Sequence, residues 1–273
     1  MLKLSIIVVC LNAGPKLIDT LKSIQEQTFE NYEVVIKDGG SKDDTIENAK
    51  LWLDEQEKFS SKVNFFYQKD TGIYDAMNQA TTYASGEYLY FLNCGDSLYE
   101  EDSLTKFIAC MKTKNSLIYY GNVYDRIRKA KVQSNPKIDD FACYRHVPNH
   151  QTCIYHKSLF ANRGYNLSYK VRADYEHFLY SYFIQKANPK YIDVLIANYE
   201  GGGFSETKDN IRRSKLEHKE IISLYMSKSQ IKKYQFIMMI SLAPLRTFLA
   251  ENKCFGALYQ KLKKCIYSFR NKK

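Results

Sequence analysis

Within its first hundred residues the chain runs four times through a short apolar stretch that stops at a polar or glycine-rich turn. The stretches are Lys3 to Val9, Tyr32 to Ile36, Val63 to Tyr67 and Tyr88 to Leu92. They have strand length and are apolar almost throughout, the pattern of strands buried on both faces. After the first comes Asn12-Ala13-Gly14-Pro15, then Leu17, Ile18, Leu21 and Ile24 at helical spacing. After the second comes Asp38-Gly39-Gly40-Ser41, then a helix over 42–57 with Ile46, Ala49 and Leu53 on one face. A helix over 72–84 separates the third and fourth. Such alternation predicts a mostly parallel sheet flanked by helices, an open α/β architecture. In sheets of this kind ligands bind outside the carboxyl ends of the strands, so the loops after the four stretches converge on one crevice.

Beyond residue 100 the periodicity weakens. Leu117 to Val123 and Gln151 to Tyr155 read as mixed or antiparallel strands, 174–185 as a helix, and Ile192 to Ile196 as a last strand. Gly201-Gly202-Gly203 makes a flexible loop, and helices from Glu206 onward are interrupted at Pro244. The organisation expected is one α/β domain over 1–205, in two halves of 1–100 and 101–205, with a helical region over 206–273.

Charge follows the same division. Of the net +10, residues 207–273 contribute +12 and residues 1–206 sum to −2. The seven cysteines are odd in number and scattered, with no spacing that a zinc site needs, and read as reduced thiols of a cytosolic protein. The apolar run from Ser5 to Leu11 is too short for a secretory leader and ends in a polar turn.

The loops carry the chemistry. Asp38 directly follows a strand and precedes a helix, with Gly40 permitting a tight turn; its carboxylate either accepts a hydrogen bond from a base or ribose or caps the helix. The third loop, Lys69 to Asn78, holds Asp70 and Asp75, with Asp75 and Asn78 about one turn apart; these either face the crevice or serve as cap and surface residues. In the fourth, Leu92-Asn93-Cys94-Gly95-Asp96-Ser97, Asp96 stands where a diphosphate-bound divalent cation would find a hard oxygen ligand.

Taken together, Ser5 to Val9 with Asn12, Asp38 to Asp43, Asp70 with Gly72 to Asn78, and Gly86 to Tyr88 with Phe91 to Asn93 and Gly95-Asp96 resemble the family 2 inverting glycosyltransferases of GT-A fold. The likeness is strongest over residues 3 to 100, extends loosely to Gly203, and is greatest to the branch that builds bacterial capsule, exopolysaccharide and O-antigen repeats. It implies a nucleotide-sugar donor held by 1–100 and an acceptor half over 101–205. By the resemblance Asn12 and Asp38 hold base and ribose, and Asp70 and Asp75 the base or sugar side. The Asn93 to Asp96 segment occupies the family's Asp-x-Asp site for Mg²⁺ or Mn²⁺. Asn93 and Gly95 stand where that motif is usually acidic, which leaves Asp96 as the metal ligand.

Inversion requires the acceptor hydroxyl to lose a proton as it attacks, so one base must lie across the sugar from the leaving group. Ala173-Asp174-Tyr175-Glu176 resembles the family's acidic motif, which makes Asp174 the base and Glu176 the fallback; an acid at a helix start is also stabilised by the helix dipole alone. His150, in an Asn149-His150-Gln151 run like that of relatives, would touch diphosphate or acceptor. Lys208, Arg212 and Arg213, behind the glycine loop, either neutralise a departing diphosphate or form a solvated face. The only tryptophan is Trp52 and no Gln-x-x-Arg-Trp occurs, so single-sugar transfer is expected rather than processive polymerisation.

Phe236 to Leu245 is too short to span a bilayer. Phe255, Leu258, Tyr259, Leu262, Ile266 and Phe269 follow helical spacing among seven Lys and Arg residues, as in a helix lying on an anionic membrane or packed on its own domain. The membrane reading places the chain peripherally on the cytoplasmic face, where a polyprenyl-diphosphate-linked acceptor presents its hydroxyl. A nucleotidyltransferase is disfavoured because no glycine-rich triphosphate loop is present. Nucleic acid is disfavoured because the aromatics share an apolar stripe. A non-catalytic nucleotide-sugar-binding or scaffold protein is the alternative, motivated by Asn93 and Gly95.

Overall fold

The computed structural model describes residues 3–111, 116–202 and 207–241. The expected membrane-surface helix over 255–269, the break at Pro244, Gly203, Cys254 and Cys265 lie outside the described residues. The alternating half forms as its pattern dictates: β1 (Leu4–Cys10), α1 (Lys16–Gln25), β2 (Tyr32–Asp38), α2 (Thr45–Asp54), a short α3 (Glu57–Ser60), β3 (Val63–Tyr67), α4 (Ile73–Tyr83) and β4 (Tyr88–Phe91). The second half adds β5 (Ser97–Leu98), α5 (Ser103–Met111), β6 (Ile118–Asp125), β7 (Ala130–Val132), α6 (Asp140–Arg145), β8 (Cys153–His156), α7 (Ala173–Phe183) and β9 (Lys190–Tyr199), before α8 (Lys208–Tyr225) and α9 (Lys228–Ile240).

These strands make one sheet in the order β3-β2-β1-β4-β8-β6-β9-β5, with β7 paired to β6. The first four run parallel. Antiparallel β8 then joins β4 to β6, so both halves of the domain share one sheet. Every residue of β1 and β4 is buried, whereas β3 at the edge is only partly covered. The face of α1 that packs on the sheet is Leu17, Leu21 and Ile24, all fully buried, each stabilising the fold by about 1.5–3 kcal/mol.

Several elements differ from the sequence reading. Helix α2 starts at Thr45 rather than at residue 42 because Asp43 Oδ1 accepts the Thr45 N–H at 3.1 Å, while the Lys42 N–H is taken by Asn12 Oδ1 at 2.8 Å. Helix α5 was not anticipated although Leu104, Phe107, Ile108 and Met111 mark a buried helical face. Strand β7 has three residues and no readable period, and β9 extends past both ends of the expected 192–196. The cysteines within the described residues are free thiols.

The chain divides into two compact units, residues 1–221 and 222–273, with the expected boundary at 205/206 lying N-terminal to that division. In the second unit α9 begins with a capping box in which Ser227 and Gln230 satisfy each other's backbone N–H groups. No described helix is long and apolar enough to cross a membrane.

Candidate active site

Two cavities open at the carboxyl ends of the parallel strands and share Ile73 and Tyr74, the first residues of α4. The first, of about 480 Å³, has an apolar wall from Val9, Leu11 and Leu167 and carries Asp70 and Asp75. The second, of about 580 Å³, is lined by Asn93, Asp96, His150, Gln151 and Asp174 among others. The loops after β1, β3 and β4 therefore converge, whereas the loop after β2, expected to join them, lines neither cavity.

Asp174 lies in the first turn of α7, with Tyr74 and His150 on its carboxylate. The Tyr74 hydroxyl donates to Asp174 Oδ1 at 2.9 Å and lies as close to the Val171 carbonyl. His150 Nδ1 stands 3.7 Å from Oδ2, and its Nε2 is 2.9 Å from Asn93 Nδ2. With the Asn93 amide donating, Nε2 accepts and the ring proton sits on Nδ1, facing Asp174. Burial pushes the Asp174 carboxyl up, but the neighbouring His150 ring, a backbone N–H and the Tyr74 hydroxyl outweigh it, and the net direction is below the usual carboxylate range. Burial first, then the Asp174 charge, pushes the Tyr74 phenol well above its ordinary value, so it remains a hydrogen-bond donor.

In the same cavity Asp96 is buried, accepting the Glu200 backbone N–H at 2.9 Å on Oδ1 and the Gln151 amide at 3.0 Å on Oδ2. Burial raises its carboxyl above the ordinary value against those two bonds. Asn93 Oδ1 is buried without a hydrogen-bond partner. Gly95 has φ +97°, and a Cβ there would stand 2.2 Å from Glu200 Oε2, so the residue in the position usually acidic is one the turn reserves for glycine. No group of three or more His, Cys, Asp or Glu that could hold a metal ion occurs among the described residues.

In the first cavity Asp70 forms an ion pair with Lys37, whose side chain is wholly buried, and Oδ1 accepts the Gly72 N–H at 3.1 Å. Asp75 accepts the Thr71 N–H and hydroxyl at 2.8 and 3.0 Å. Asn12, Asp38 and Gly40 line neither cavity. Asp38 is 3% exposed, its oxygens taken by the N–H groups of Gly40 and Ser41 and the Ser41 hydroxyl. Asn12, at φ +49°, accepts from Lys42 N–H, while its own N–H donates to Ser41 Oγ at 2.8 Å. Asn12 thus ties the loop after β1 to the loop after β2, while Asp38 and Gly40 close the turn after β2 on itself. Asn78 does not face the crevice either: it pairs with the backbone of Tyr165 through both ends of its amide.

Glu176 is turned away from the site and bound bidentately to Arg163 at 2.7 and 2.8 Å. One helical turn after Asp174, His177 is buried and stacked on Phe160; burial, then Arg163, pushes its imidazole down to about 3. Sequence reasoning passed over Tyr74 and Lys37. Tyr74 sits inside the quoted Gly72 to Asn78 motif, but a tyrosine among twenty-three carries no signal of its own. A lysine within an apolar strand, by contrast, is unusual unless paired, and Lys37 could have been noticed for that.

The glycosyl transferase family 2 profile matches residues 5–173. A PGL/p-HBAD biosynthesis glycosyltransferase of Mycobacterium bovis is 34% identical over 206 residues, 74% of this chain and 79% of the relative. The uncharacterized glycosyltransferase Rv1514c of Mycobacterium tuberculosis is 26% identical, over 75% and 78%. Among solved structures, S. aureus TarS 1–349 in complex with UDP-GlcNAc aligns with TM-score 0.66 at 20% identity, covering 85% of this chain and 70% of that one. The mannosyltransferase PcManGT of Pyrobaculum calidifontis, in complex with GDP-Man and Mn²⁺, aligns with TM-score 0.61 at 13% identity, over 95% and 83%. The fold is thus that of the GT-A glycosyltransferases, and the chain belongs to glycosyl transferase family 2.

Proposed function

We propose that this glycosyltransferase moves one sugar from a nucleoside-diphosphate sugar, a UDP-sugar in the first instance, to a saccharide hydroxyl with inversion, and that Asp174 is the base. The observation that carries this is the partnering of the carboxylates in the second cavity. Asp125 is bound to Arg128, Glu200 to Lys16, and Asp96 accepts hydrogen bonds on both oxygens. Asp174 alone of these four is held by a phenol and an imidazole. Its Oδ2 takes the acceptor proton as the hydroxyl oxygen bonds to the anomeric carbon and the bond to the diphosphate oxygen breaks.

The nucleoside is assigned to the first cavity, where Asp70 and Asp75 offer acceptors beside an apolar wall, and the sugar and acceptor to the second. Asn12, Asp38 and Gly40 act on the nucleoside by shaping that mouth. His150 stands beside the diphosphate and holds Asp174 toward the acceptor. Mg²⁺ or Mn²⁺ fits the Asn93 and Asp96 wall: the unpartnered Asn93 Oδ1 and the Asp96 carboxylate are hard oxygens, and Mg²⁺ commonly takes one or two protein ligands with substrate phosphates. Bound there, the cation would neutralise the leaving diphosphate.

A polyprenyl-diphosphate-linked acceptor at the cytoplasmic face of an anionic membrane, in surface polysaccharide or glycolipid assembly, completes the reading. It is supported by the basic C-terminal quarter and by α9, which exposes Phe236, Met239 and Ile240 alongside Lys232 and Lys233. The relative named for PGL/p-HBAD biosynthesis points the same way. Nucleoside-diphosphate release from UDP-, GDP- and dTDP-sugars, with Mg²⁺, Mn²⁺ or EDTA and with lipid-linked acceptors, tests it. One donor turned over, and EDTA lowering the rate, is the expected result. Donor binding without release under any condition would leave a nucleotide-sugar-binding protein.

A further inference from the structure

The segment just before α7 walls both cavities: Leu167, Tyr169 and Lys170 face the first, Val171 the second. A loop carrying two walls of a site needs something to hold it, and this one has little regular structure of its own. Its anchor is Glu217, on α8, a residue 7% exposed in an otherwise solvated stretch of helix. One oxygen of that carboxylate accepts the Lys170 N–H at 2.9 Å; the other accepts Val171 and Arg172 N–H at 3.0 and 2.9 Å. Three successive backbone donors on one buried carboxylate form an anion nest, here filled from within the chain. Two further ties lie alongside. Arg172 Nε donates to the Ser214 carbonyl and hydroxyl, and the Tyr169 hydroxyl donates to Glu220 at 3.1 Å.

The peptide so held leads straight to the base. The Val171 carbonyl and Asp174 Oδ1 share the Tyr74 hydroxyl, each at 2.9 Å. We infer that Glu217 is a positioning residue of the transfer reaction: it fixes the 170–172 backbone, through it the Tyr74 hydroxyl, and through that the orientation of Asp174. The inference rests on the reading of Asp174 as base, and makes α8 part of the catalytic apparatus rather than of a basic appendage. The groups facing Asp174 are His150, Tyr74, Cys153, Tyr155, Tyr165 and His177; Glu217 touches none of them and acts only through the peptide.

The test is a kinetic cycle on the full chain with Tyr74→Phe, Glu217→Gln and the double variant, reading kcat, KM for the donor and the pH profile of kcat/KM. Glu217→Gln should lower kcat by about tenfold or more, within the range a misoriented base loses, and change KM much less. The Tyr74 bond is among those lowering the Asp174 carboxyl, so weakening it moves the acid limb to higher pH in both single variants. Because both act on one linkage, the double variant should be no slower than the worse single one. Multiplying effects, or a Glu217→Gln acid limb that stays in place while Tm alone falls, would overturn the inference and leave the base intact. A wild type that turns over no donor would remove both. Should Glu217→Gln fail to fold, Arg172→Gln, which releases the Ser214 tie on the same peptide, carries the same readouts.

Discussion

At the scale of single residues, the carboxylates around the site divide by the partners that hold them. Asp38 and Glu176 looked like Asp174 in the sequence, as loop or helix-start carboxylates, yet their oxygens are taken by a turn and an arginine. Asp174 differs in its partners, not in its sequence neighbourhood. That distinction was invisible beforehand because it depends on Tyr74, one hundred residues away in the chain. Behind Asp174, buried His177 adds a titration with a definite sign. Its imidazole is pushed down to about 3 from 6.5, so between those values the unfolded chain binds a proton that the folded one refuses, and stability falls as the pH drops through that window. Urea unfolding at pH 7.5 and pH 5 should show His177→Phe, which keeps the stack on Phe160, losing about 2 kcal/mol less than wild type. Equal losses would mean the imidazole is protonated in the folded state.

At the scale of elements, the parallel half was legible because buried strands and amphipathic helices each impose one period, and four repetitions leave few topologies. The second half resisted because β5 and β7 are too short to show a period, and because β8 enters antiparallel between β4 and β6. Helix α5 was readable and was missed. The junction of β1 and β4 depends on a close approach at Gly86, whose added Cβ would stand 2.6 Å from the Ser5 backbone nitrogen and 2.9 Å from the Lys3 carbonyl. Main chain cannot rotate out of the way as a side chain would. Gly86→Ala should therefore destabilise by about 1–3 kcal/mol, seen calorimetrically as a Tm lower by about 2–10 °C. An unchanged Tm would mean that the strand ends slide apart freely.

At the scale of the whole molecule, one sheet brings both halves of the domain to a single edge. The β1 and β3 loops line the first cavity, the β4 loop and the start of α7 the second, and in the proposed reaction these become the nucleoside side, the diphosphate wall and the base. Tyr74, at the junction of the two cavities, links them. The division of the chain at 221/222 keeps with the domain the part of α8 that carries Glu217, which the boundary expected at 205/206 assigns elsewhere. Charge marked where basic residues accumulate but not which buried acid among them reaches the loop before α7. In the proposed reaction Asp174 takes the acceptor proton while other groups bind the donor. This is tested most directly by nucleoside-diphosphate release in the presence of acceptor, wild type against Asp174→Asn, with donor affinity measured in parallel. Donor affinity should stay within a few fold of wild type and release should slow by about 10²–10⁴-fold. Release at the wild-type rate from Asp174→Asn would contradict it.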